Sequence, residues 1–178
     1  AWSMLHAYQK NRIMTFLSPE SDPLGAGYHA LQSFIALGSG GTSGKGFMKG
    51  TQSHLSFLPE IQTDFIFTMY AEEFGLIGGL LLIALYATVI AYTFAIAMRS
   101  RNHFGRLVAM GIATMFFLYV FINIAMVTGL TPVVGVPLPL ISYGGTAMMT
   151  VLIGFGLVMN VYIHRDMRIG RHGEVSNT

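Results

Sequence analysis

Of 178 residues, 53% are hydrophobic and 10% charged, and the formal net charge is +2. Soluble domains carry about 25% charged residues, so the chain reads as a membrane protein, and its few basic groups, spread over separate segments, make no nucleic-acid surface. Cysteine is absent, which excludes disulfides, thiolate metal sites and cysteine nucleophiles.

Residues 1–64 read as a long loop region with short amphipathic helices. No cleavable leader pattern precedes the first polar segment, and the alanine start suggests a piece of a longer polypeptide. "SPESDPLGAG" (18–27) has the Ser, Asp, Pro and Gly density of turns. In "YHALQSFIAL" (28–37), Tyr28, Leu31, Phe34 and Ile35 recur at helical spacing, predicting a short helix on the membrane interface or against other helices, ended by Gly38. The next stretch, "GSGGTSGKG" (38–46), invites a nucleotide-phosphate reading. A P-loop needs Gly, four residues, then Gly-Lys-Ser/Thr, so that the lysine reaches the terminal phosphates and the hydroxyl holds magnesium. Here Ser39 stands where the first glycine belongs and Gly46 follows Lys45, so no nucleotide site is expected. Lys45 and Lys49 remain as loop cations, either solvated or available to an anionic ligand.

"FLPEIQTDFIFTMYAEEFG" (57–75) leads into the first span. Glu60, after Pro59, reads as a loop acid. Asp64 is expected to begin the helix, with Thr68 and Glu72 following at four-residue steps on one face. A carboxylate at membrane depth is expensive and faces the protein interior or a wet cavity. Asp64 and Glu72 thus form a candidate acidic edge on a cavity. The alternative for Asp64 is helix capping, which Thr63 could serve equally well. Adjacent Glu72 and Glu73 cannot both face one way, so at least one is expected at the interface or paired with a base.

Three membrane spans follow. Residues 75–98 and 107–128 are uncharged runs long enough to cross a hydrocarbon core of about 30 Å, and 146–163 sits near the lower limit. The chain divides into a loop region (1–64), a helix (65–98), a connection (99–106), a helix (107–128), a Pro/Gly loop (129–145), a helix (146–163) and a tail (164–178). The expected fold is therefore an all-α polytopic membrane protein. Arg99, Arg101 and Arg106 between the first two spans, and Arg165, Arg168 and Arg171 after the third, favour the cytoplasmic side. Residues 1–64 and 129–145 are then extracytoplasmic. In the latter, Pro132, Pro137 and Pro139 remove backbone donors and Gly129, Gly135, Gly144 and Gly145 permit turns, which describes a re-entrant loop buried in protein or lining a cavity. Ser142 lacks a neighbouring acid or histidine, so it reads as a partner for exposed backbone groups rather than a nucleophile. His6, His29, His54, His103 and His164 match no local ligand spacing.

Asn123, Gly129-Leu130, Pro132, Gly135-Val136, Leu140-Ile141 and Ser142-Tyr143-Gly144-Gly145-Thr146-Ala147 together resemble the signature of the shape, elongation, division and sporulation family of bacterial membrane proteins, the RodA/FtsW group. The likeness extends upstream through "DPLGAGYHALQSFIALGSGGTSGKG" and "GTQSHLSFLPEIQTDFIF", and covers the C-terminal portion of the family. "GKG", "GTQ" and "FLPEIQTDFIF" are more similar to the RodA branch of cell elongation than to the FtsW branch of septation. The resemblance implies a peptidoglycan glycosyltransferase of the bacterial cytoplasmic membrane, polymerising lipid II on the outer face beside a class B penicillin-binding protein. Alternatives are a septal polymerase and a lipid II flippase. The family's essential aspartate falls on Asp64, as base or as ligand of a divalent cation, magnesium or manganese. Lys45, Lys49, Glu60, Glu72 and Ser142 are candidate substrate contacts.

Overall fold

A computed structural model describes residues 14, 26–47, 49, 50, 63–166, 168, 169, 175 and 176. Glu60, His6, His54 and the turn-rich stretch 18–25 lie outside the described residues. Among the described residues four helices carry the architecture: α1 (Ala26–Ser39), α2 (Ile66–Arg99), α3 (His103–Val127) and α4 (Gly145–Ile163). The tail adds a two-residue antiparallel ladder, β1 (Arg168–Ile169) with β2 (Val175–Ser176). The last three helices are long and apolar enough to cross a membrane, as composition leads one to expect. Strongly apolar side chains such as Leu76, Ile77, Leu80 and Leu81 stay exposed along them, which suits lipid as the surrounding solvent.

α3 begins four residues before the uncharged run, because Asn102 caps it by accepting a bond from the Phe104 amide at 3.0 Å. Arg101 donates its amide to the Arg165 carbonyl, so both arginine-bearing turns lie at one end of the bundle. The small residues Gly105, Ala109 and Ala113 give α3 a close-packing stripe. Ala109 meets Ile96, Ala97 and Val158 there. The larger core, nearer the other end, gathers Phe65, Phe67, Leu82, Tyr86, Phe116, Val120, Met126, Leu138 and Val151.

α2 is not one straight rod. Gly75 has φ 69 and ψ −166, which breaks the helix into 66–74 and 76–99. The second piece has 24 residues, about 36 Å at 1.5 Å each, enough to span. The first piece folds back sharply: in a straight helix residues 67 and 79 stand about 18 Å apart, yet the Phe67 ring tip lies 3.7 Å from where a Cβ on Gly79 would sit. This bend carries Phe65 and Phe67 into the core that holds Leu82 and Tyr86.

α1 turns its apolar stripe outward, one of the two placements its sequence pattern allows. Leu31 and Ile35 are 45% and 49% exposed, whereas Ser33 and Ala36 are buried. Ser33 bonds the Thr68 hydroxyl at 2.9 Å and donates to the Val127 carbonyl, so small polar groups tie α1 to α2 and α3 while its apolar stripe faces outward.

Candidate functional site

The glycine-rich loop completes the broken helix. A helix interruption strands two carbonyls on one side and two amides on the other. Lys45 and Gly46 donate their amides to the Glu72 and Glu73 carbonyls, while Leu76 and Ile77 donate theirs to the Gly41 and Thr42 carbonyls, at 3.0–3.2 Å. Residues 41–46 are thus spliced into the gap, and their glycines serve that approach. A Cβ on Gly40 would overlap the Ala71 carbonyl, and one on Gly44 the Glu73 carbonyl.

The splice also fixes the charged residues. Glu72 is fully buried, with Lys45 Nζ 2.7 Å from its Oε1, and the Ser39 hydroxyl, which donates to the Ala36 carbonyl at 2.8 Å, lies 3.5 Å from the same oxygen. The expected pairing of one glutamate with a base is met by Lys45. Glu73 is also buried, at 6% exposure. Of the two acids expected on one edge, Glu72 is fully buried against Lys45 and Asp64 is half-buried. Lys49 is exposed on the same loop. Removing one partner of a buried pair strands the other charge. Lys45→Met is therefore expected to lower unfolding stability in detergent by about 2–3 kcal/mol, and adding Glu72→Gln to recover most of the loss, as thermal unfolding of the three proteins will read.

Asp64 lies in the turn Thr63–Phe65, before the helix rather than in it. The N-cap position falls on Phe65, with no side-chain cap bond there, one residue after Asp64 and two after Thr63. Asp64 is half-buried and is held through its backbone. Asn123 of α3, fully buried, donates from Nδ2 to the Asp64 carbonyl at 2.9 Å and to the Val136 carbonyl at 2.7 Å. Ser142 donates to the neighbouring Thr63 carbonyl and accepts the Leu138 amide at 2.7 Å. Its hydroxyl is thereby engaged with backbone, the role expected from sequence. The carboxylate itself faces Gly135, whose φ of 78 suits glycine: a Cβ there would lie 3.1 Å from Asp64 Oδ2.

The Pro/Gly loop 129–144 is anchored by side chains that stand in for missing ladder bonds. The Met126 sulfur accepts the Val134 amide at 3.3 Å, and the Tyr86 hydroxyl donates to the Pro139 carbonyl at 2.6 Å. Leu130 and Thr131 donate their amides to the Ala125 carbonyl at the end of α3. Beside it runs a groove of about 260 Å³ bounded by Met115, Tyr119, Pro139, Leu140 and Thr146. Among the described residues no three His, Asp or Glu side chains converge, so the described part of the chain forms no enclosing cation cage. A single carboxylate remains enough for a magnesium ion completed by phosphate oxygens and water.

Asp64 and Ser142 stand out in the sequence, and Asn123 as part of the family signature, whereas Gly75 and Tyr86 do not. Tyr86 did carry a signal: a phenol in an apolar span needs a partner for its hydroxyl. Gly75 carried none, since it looks like any small residue of an apolar helix.

The model of the FtsW/RodA/SpoVE cell cycle protein family matches residues 1–167. The peptidoglycan glycosyltransferase MrdB of Escherichia coli K12 is 57% identical over 164 residues, 92% of this chain and 44% of its own length. The peptidoglycan glycosyltransferase RodA of Treponema pallidum is 43% identical over 158 residues, and the probable peptidoglycan glycosyltransferase FtsW of Trichlorobacter lovleyi 41% over 155, covering 36% and 40% of those proteins. A solved chain from a peptidoglycan synthase complex that coordinates polymerization and crosslinking superposes with a TM-score of 0.72 at 33% identity, over 93% of this chain and 44% of that one. The chain thus spans less than half the length of these relatives, and over residues 1–167 it belongs to the FtsW/RodA/SpoVE family of membrane proteins.

Proposed function

We propose that this chain is the Asp64-bearing part of a RodA-like peptidoglycan glycosyltransferase, which polymerises lipid II into glycan strands during elongation. One observation carries the reading: a half-buried carboxylate stands on a turn tied by Asn123 and Ser142 to an irregular Pro/Gly loop, at the end of the bundle away from the arginine turns. With the arginines cytoplasmic, that end faces outward from the cytoplasmic membrane.

In the reaction, the acceptor sugar's 4-hydroxyl attacks the anomeric carbon of the donor, a C–O bond forms there, and the bond to the lipid diphosphate breaks with its electron pair leaving on the diphosphate. The hydroxyl proton passes to Asp64 acting as base. In the alternative role Asp64 ligates a magnesium or manganese ion, which would neutralise charge on the departing diphosphate. Lys49, exposed on the spliced loop, is the candidate cationic contact for that diphosphate. Lys45 and Glu72, engaged with each other, would shape the loop that presents it. The class B penicillin-binding protein is the proposed partner, supported by the solved relative's origin in a polymerization and crosslinking complex.

The test uses a polypeptide of the relatives' full length carrying this chain, purified with such a partner and given lipid II. Glycan strands resolved on a gel are expected. Lipid scrambling without polymer would replace the polymerase by a transporter. A stable complex with neither activity would leave only a scaffold.

A further inference from the structure

We propose that Asn123 is the positioning residue for Asp64, acting through the backbone of the turn rather than on substrate. The inference rests on Asp64 being the reacting carboxylate. Asn123 is fully buried near the end of α3, and its Nδ2 lies between two carbonyl oxygens, those of Asp64 and Val136. Only a group with two protons on one atom satisfies both at once. A carboxylate there would face two acceptors, and a hydrocarbon would leave both carbonyls without the bond.

The two carbonyls belong to the two strands of chain that frame the Asp64 carboxylate. One is Asp64's own; the other follows Gly135, against which Oδ2 rests. One amide thus sets the separation between the carboxylate's backbone and the wall it faces. Ser142 makes a second tie one residue earlier, from the Thr63 carbonyl to the Leu138 amide. The Asn123 Oδ1 is buried as well and has no hydrogen-bond partner among the described residues.

The experiment measures kcat and KM for lipid II polymerisation in the full-length setting with the transpeptidase partner, at matched amounts of folded complex. Asn123→Leu removes both donors while keeping the branched shape and heavy-atom count of the side chain. A shift of about 1 Å in a reacting group costs on the order of 10²-fold, so kcat is expected to fall about 10- to 100-fold while KM for lipid II stays within about twofold. Unchanged kcat, or a rise in KM alone, overturns the inference. Should Asn123→Leu not accumulate as folded complex, Asn123→Ser is measured the same way, with the same expectation. Failure of both to fold also overturns it, because the amide would then serve the fold itself. Asp64→Asn, run alongside, separates the two ideas: an active Asp64→Asn sinks the reading of the carboxylate, whereas an inactive one beside fully active Asn123 variants sinks only the positioning role.

Discussion

Asp64→Asn is expected to slow glycan-strand synthesis from lipid II by about 10²–10⁴-fold, the range for losing a positioned general base. The substitution keeps the shape of the side chain and leaves the residue's backbone carbonyl free to accept from Asn123, so the turn and the complex should persist. What disappears is the negative charge, and with it both proton acceptance and cation ligation. Lipid II binding and thermal unfolding should change little, which distinguishes a chemical loss from a folding one. Asp64→Glu restores charge but adds a methylene beside Gly135, where a Cβ would already stand 3.1 Å from Oδ2. The longer acid must relocate, and about 10²-fold of the rate should stay lost. Initial rates for the three proteins check this.

The largest stability effect belongs to Gly75→Ala. At φ 69 and ψ −166, residue 75 occupies a region of backbone space that only glycine adopts easily, and departures cost about 1–3 kcal/mol. The added methyl would also overlap the Gly44 amide and crowd the Thr42 carbonyl. Relief requires expelling the loop, which strands the Glu72 and Glu73 carbonyls and the Leu76 and Ile77 amides. Together these effects should remove roughly 4 kcal/mol or more in thermal unfolding. Gly44→Ala, at φ 75 against the Glu73 carbonyl, should behave alike. Gly38→Ala is the control: nothing lies within 4 Å of its Cβ position, it sits in α1, and alanine there should be neutral or stabilising by up to about 1 kcal/mol.

The spans were legible because crossing lipid needs length and uncharged composition, both local properties. The Pro/Gly loop was legible for a related reason: three prolines and four glycines between two spans forbid a helix there whatever else surrounds them. Ser142 stood out as a polar group for exposed backbone, though only the fold says that it reaches the Thr63 carbonyl and the Leu138 amide. The splice left no local trace. Its hydrogen bonds join residues about thirty apart, and neither "GSGGTSGKG" nor "FGLIGG" states that one completes the other. Periodicity at α1 left two places open for the apolar stripe, the membrane interface or other helices, and the stripe takes the outward one. In lipid the apolar side chains can face outward, and small or hydrogen-bonded residues such as Ser33 and Ala36 make the contact. Asp64 was misplaced by local logic: its spacing to Thr68 and Glu72 is helical, but the helix starts two residues later.

The account depends on one carboxylate standing at the outward mouth of the bundle. Because the chain contains no cysteine, an Asp64→Cys variant places one unique thiol within it, and a membrane-impermeant maleimide applied to intact spheroplasts reads its side directly. The account predicts labelling from outside at position 64, with His103→Cys on the opposite turn labelled only after permeabilisation. A thiol at position 64 that reacts only from the cytoplasmic side, or that stays closed to the reagent on both sides while reacting after denaturation, would contradict it.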